Sequence, residues 1–95
     1  MTGRSAYVER MKVQVALWDA EIDRLRARGA EAGDDARMKL THAIEELGIL
    51  RDRAAAKLQE ADAAADEAWD DMQEGFEAAW YGLSDAVRSV KDRLP

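Results

Sequence analysis

The chain has 95 residues with 14 Lys plus Arg against 20 Asp plus Glu, a formal charge of −6. It is one domain at most, and its 47% apolar share has alanine as its commonest residue, with only three Trp, two Tyr and one Phe, so a large globular core is not expected. No cysteine and a single histidine exclude a disulfide framework, a thiolate zinc site and a multi-histidine metal centre.

The first residues, Met1 to Arg10, lack the apolar run of a signal peptide. No segment approaches the roughly 20 apolar residues that span a bilayer, and a cytoplasmic location is expected. Residues 58–87 hold nine acids and no Lys or Arg. A surface of that sign repels phosphate backbones and anionic lipid, which disfavours nucleic acid and membrane as partners.

Proline occurs once, at Pro95, and helix-favouring residues dominate, so the fold class is all-α. Val8, Met11, Val15, Trp18, Ile22 and Leu25 step by 3, 4, 3, 4, 3, a heptad stripe that predicts a helix over residues 4–30 and a surface for pairing with another helix. Two glycines then interrupt the chain. Gly29 and Gly33 each cost about 1 kcal/mol relative to alanine in a helix. Gly33 suits the position just past a helix end, and Asp34 or Asp35 the cap of the next helix. A continuous helix is the competing reading, because Gly29, Ala32, Ala36, Leu40, Ala43 and Leu47 carry the stripe across the gap in phase.

Downstream the rhythm changes to blocks of eleven: Leu47, Leu50, Ala54; Leu58, Ala61, Ala65; Trp69, Met72, Phe76; Trp80, Leu83, Val87. Such hendecads give 3.67 residues per turn and a nearly straight seam. With no Gly or Pro near Asp62 to Asp66, the local preference is one second helix over residues 35–93, about 90 Å long. The expected architecture is thus an elongated coiled coil, either a helical hairpin with a protruding second helix or a near-continuous rod. Three pieces, 4–30, 35–60 and 64–93, folding as a bundle are the weaker alternative.

A protruding helix cannot cover its own stripe. Self-association is therefore expected through Leu47, Leu50, Leu58, Trp69, Met72, Phe76, Trp80, Leu83 and Val87, with antiparallel pairing favoured because it keeps the acidic segments apart. A line of small residues, Ala54, Ala61, Ala68, Gly75, Gly82 and Ser89, borders the stripe and would admit a close backbone.

Candidate chemistry is sparse. His42 and Glu45 stand one helical turn apart, but the pair occurs once and in the reverse order of the Glu-x-x-His di-iron motif. The acids between residues 60 and 77 lack the glycine and glutamate positions of a calcium loop. No catalytic, cofactor or metal residue is expected, and the chain reads as a non-enzymatic interaction or scaffold protein whose partner is a second copy or another helical protein. An amphipathic helix coating a lipid surface or granule is the alternative, since Trp-bearing helices seat in interfaces.

The stretch Ala68-Trp69-Asp70-Asp71-Met72-Gln73-Glu74-Gly75-Phe76-Glu77-Ala78-Ala79-Trp80, with Tyr7-Val8-Glu9-Arg10-Met11-Lys12 and Leu17-Trp18-Asp19-Ala20-Glu21-Ile22-Asp23 upstream, resembles a group of short bacterial coiled-coil proteins. Some of these carry a general stress-response label. The resemblance spans nearly the full length and implies a role in stress response, with no catalytic residues.

Overall fold

Helix-favouring sequence gives helix at every regular element among the described residues. The computed structural model describes residues 3–94. Helix α1 spans Gly3–Gly29, α2 Asp34–Ala63 and α3 Trp69–Arg93, with one short 3-10 turn at Asp66–Ala68 ahead of α3. The ends obey helix electrostatics: Asp34 and Asp35 open α2, Asp70 and Asp71 open α3, and Arg26 with Arg28 and Lys91 with Arg93 close α1 and α3.

The break after Gly29 forms, with a different division of labour between the two glycines. Gly29 is the last residue of α1 and buried, and a Cβ there would stand 3.1 Å from Ile44 Cδ1. Gly33 is the N-cap of α2 in extended conformation, φ −63° and ψ 162°, and its carbonyl accepts the first helical hydrogen bond from Arg37 N–H at 2.7 Å. The expected capping aspartates lie instead in the first turn.

The second helix is not continuous over residues 35–93. It ends at Ala63; Ala64 (φ −70°, ψ 149°) and Ala65 (φ −65°, ψ 156°) are extended, and α3 folds back along α2. Alanine's helix preference is worth well under 1 kcal/mol per residue over most alternatives, whereas fully burying one large apolar side chain contributes about 1.5–3 kcal/mol. Folding back buries Phe76, Leu83, Val87 and Val90, and that gain overrides local preference.

The result is a three-helix bundle of 50 × 20 × 17 Å. Asp19 meets Arg51 and Gly29 meets Leu40, so α1 is antiparallel to α2. Tyr7 meets Trp69, Trp18 meets Trp80 and Glu21 meets Lys91, so α3 runs parallel to α1. Helix α2 packs closely on both neighbours, while α1 and α3 are bridged by long side chains. The core has two parts. One, near the Gly29 turn, joins Ile22, Leu25, Leu40, Ile44, Leu47, Leu83, Val87 and Val90; the other joins Val8, Val15, Ala54, Leu58 and Phe76.

Candidate functional site

The apolar stripes are spent inside the chain. On α1, Val8, Val15, Ile22 and Leu25 are buried, while Met11 and Trp18 pack at the core's margin. Leu47, Leu58, Phe76, Leu83 and Val87 are each at most 3% exposed; Leu50, Trp69 and Trp80 are partly buried against the same clusters. Only Met72, at 37% exposure, stands off the core. Residues expected to mate with another chain therefore mate with helices of their own, because the turn at Ala64 supplies the partner that a straight helix would have lacked.

The small-residue line divides in the same way. Ala54 and Ala61 are fully buried, but a Cβ at Gly75 or Gly82 would meet nothing within 4 Å, so no backbone approaches there.

An aromatic tier bridges α1 and α3. The Tyr7 ring stands edge-on to Trp69 (5.7 Å between centroids) and Phe76 (6.3 Å), and Trp18 to Trp80 (5.6 Å). Tyr7 donates its hydroxyl hydrogen to Glu77 Oε1 at 3.0 Å. Burial, reinforced by this carboxylate, pushes the phenol up to about 12. Further along, Lys91 Nζ lies 2.6 Å from Glu21 Oε1, and the ammonium's hydrogen bond holds Glu21 below the usual carboxylate range. Between α1 and α2, Arg51 Nη2 donates to Asp19 Oδ2 at 2.9 Å while Nε lies 2.5 Å from Oδ1 as an ion pair without hydrogen-bond alignment, and the Asp19 hydrogen bond raises the guanidinium further. These contacts fix helix register. The Trp18 indole Nε1 is buried without an acceptor.

The α2–α3 corner is held by Arg4. The last turn of α2 contains no base of its own, and the final carbonyls of a helix lack partners within it. Arg4 supplies both needs from α1. Its Nη2 donates toward the carbonyl oxygens of Ala61 (2.8 Å), Asp62 (2.9 Å) and Ala64; Nη1 reaches Asp66 Oδ1 at 3.3 Å; and the guanidinium lies 4.9 Å from the Trp69 ring centroid.

Helix α1 has a second stripe on the side facing away from the core. Ala6, Arg10, Val13, Leu17, Ala20, Arg24 and Ala27 step by 4, 3, 4, 3, 4, 3, and all are exposed, Val13 at 59% and Leu17 at 57%. In the sequence only Val13 and Leu17 mark this face, as two large apolar residues one turn apart opposite the first stripe. The Arg4 corner left no such signal, since its parts lie about sixty residues apart in the chain.

His42 and Glu45 line an open groove on the outer side of α2 with Asp34, Arg37, Met38 and Thr41. Among the described residues no group of three or more His, Asp or Glu is placed to hold a metal, and no helix is long and apolar enough to cross a membrane. Comparison of the chain with protein-family models, curated proteins and solved structures gave no match.

Proposed function

We propose that this protein is a non-enzymatic helical interaction element that self-associates or packs against another helical protein, and serves as a scaffold, in the stress response that the sequence resemblance suggests. The observation that carries this reading is the exposed face of α1. One heptad seam closes the bundle, and on the opposite face Val13 and Leu17, one turn apart and flanked by alanines and the arginines Arg10 and Arg24, face solvent. Exposed single apolar residues are ordinary, but two large ones at this spacing match the geometry by which helices pair.

Polar contacts at the bundle's margin hold α1 in place and so fix the orientation of that exposed face. Tyr7–Glu77, Glu21–Lys91, Asp19–Arg51 and the Arg4 corner each join two helices of the bundle. The test is sedimentation equilibrium of the wild type beside the double variant Val13→Glu with Leu17→Glu. Wild-type mass should rise with concentration, and the variant should stay monomeric with unchanged helicity. A wild type that stays monomeric and gains helix only on neutral vesicles would overturn the reading in favour of a lipid surface.

A further inference from the structure

Beyond the exposed face of α1, the α2–α3 corner is built to open, and the partner it would then take is a second copy of this chain. We infer that α2 and α3 can fuse into one helix, and that two such straightened chains pair antiparallel, each α3 seating on the other's α2. The inference rests on the reading of the chain as a self-associating helical protein, but it uses a different surface.

Three observations converge. First, the corner contains no residue that requires a turn: Ala63, Ala64 and Ala65 are the strongest helix formers, yet two of them are extended, with no Gly or Pro nearby. Second, the apolar phase runs through the corner unbroken. Leu58, Ala61, Ala65, Trp69, Met72 and Phe76 step by 3, 4, 4, 3, 4, so a straight helix over the corner presents one continuous stripe. Third, the turn is held from outside. Arg4 reaches the carbonyls of Ala61, Asp62 and Ala64, the Asp66 carboxylate and the Trp69 face, and it comes from another helix.

The geometry of exchange follows from the closed bundle. Helices α2 and α3 are antiparallel about residues 63–66, so two straightened chains crossing there remake every α2–α3 contact between copies. Helix α1 stays folded on its own α2, through Asp19–Arg51 and the Gly29 turn. Only the corner differs between the two forms. Closed and exchanged states then bury the same side chains, and the balance is set by Arg4 against alanine's preference for helix.

Ala65 gives the decisive variant. Its φ of −65° and the extended Ala64 before it are what proline demands, and its N–H makes no backbone hydrogen bond in the corner, whereas Ala64 N–H donates to Ala61 O. Ala65→Pro keeps the turn and forbids the straight helix. The experiment refolds wild type, Arg4→Ala, Arg4→Lys, Ala65→Pro and Arg4→Ala with Ala65→Pro at low and high concentration, and measures mass by light scattering. Energy transfer is read between dyes on Lys39→Cys and Arg88→Cys, diluted into excess unlabelled chain.

The expected result is a dimer fraction about tenfold higher in Arg4→Ala, from loss of several charge-assisted hydrogen bonds. Transfer within the chain should fall in that dimer, and Ala65→Pro should restore monomer and transfer. Arg4→Lys, which keeps the charge without the fork, should lie between and serves if Arg4→Ala loses helicity. Monomers with full transfer in both Arg4 variants would overturn the inference, as would a dimer that persists with Ala65→Pro. A persisting dimer abolished by Val13→Glu with Leu17→Glu would sink the exchange while leaving the α1 face as the interface.

Discussion

Tyr7 and Glu77, seventy residues apart, are joined by a hydrogen bond of 3.0 Å in which the phenol donates and the carboxylate accepts. Burial, together with this bond, which exists only while Tyr7 is protonated, raises the phenol from an ordinary 10.0 to about 12. A raised folded-state value means that the stabilisation is complete below pH 10 and is lost as pH climbs toward 12. Chemical denaturation between pH 8 and 12 should therefore show a falling limb in the wild type that is shallower in Tyr7→Phe. At neutral pH the same variant should lose about 1 kcal/mol, the usual net worth of one hydrogen bond.

How far the sequence reached can be judged at particular residues. The all-α class, the α1 seam from Val8 to Leu25 and the break after Gly29 were legible because each is a local pattern of period or propensity. The apolar phase of Trp69, Phe76 and Trp80 was legible too. The turn at Ala64 was not: three alanines argue for helix, and what overrides them is the burial of Phe76, Leu83 and Val87 against residues distant in the chain. Arg4 was equally hidden, since nothing in Gly3-Arg4-Ser5 points to carbonyls near residue 62. With the turn unseen, Phe76, Leu83 and Val87 read as surface for a second chain, whereas they pack within this one.

The Lys91–Glu21 pair makes an acid-side prediction with the opposite sign. A carboxylate held below its ordinary range contributes stability above that range, which is lost as pH falls through the folded value. Lys91→Met removes the ammonium that lies 2.6 Å from Glu21 Oε1. Thermal melts from pH 7 down to 2 should show a gentler loss of stability in Lys91→Met than in the wild type, and high salt should narrow the difference.

Phe76 and Met72 stand one turn apart on α3 and should respond very differently to truncation. Phe76 is fully buried, touching the Tyr7 edge and lying 6.0 Å from Trp80 between ring centroids. Phe76→Ala leaves a cavity that helices on all sides cannot close, a loss of about 3–5 kcal/mol. Met72, 37% exposed, should cost no more than about 1 kcal/mol when cut to alanine. Urea unfolding of both variants checks the ratio, and similar losses would show that the seam of α3 is rotated from the one described.

The glycines give a contrast in sign from one and the same substitution. Gly75 and Gly82 lie inside α3 with nothing within 4 Å of a would-be Cβ, so alanine there removes backbone freedom from the unfolded chain at no steric cost. Each change should stabilise by about 0.5–1 kcal/mol. Gly29 closes α1 where a Cβ would meet Ile44 Cδ1 at 3.1 Å and Leu40 Cβ at 3.7 Å. Ile44 is only 3% exposed and belongs to the packed cluster around Leu25 and Leu47, so it has little room to yield. At a helix end the propensity gain is also smaller than in the interior. Gly29→Ala should therefore be destabilising, by about 1 kcal/mol where the core shifts to admit the methyl group. Differential scanning calorimetry of the three variants should place Gly75→Ala and Gly82→Ala above the wild-type melting temperature and Gly29→Ala below it. A rise in all three would mean that α1 and α2 stand farther apart at Gly29 than a close contact allows.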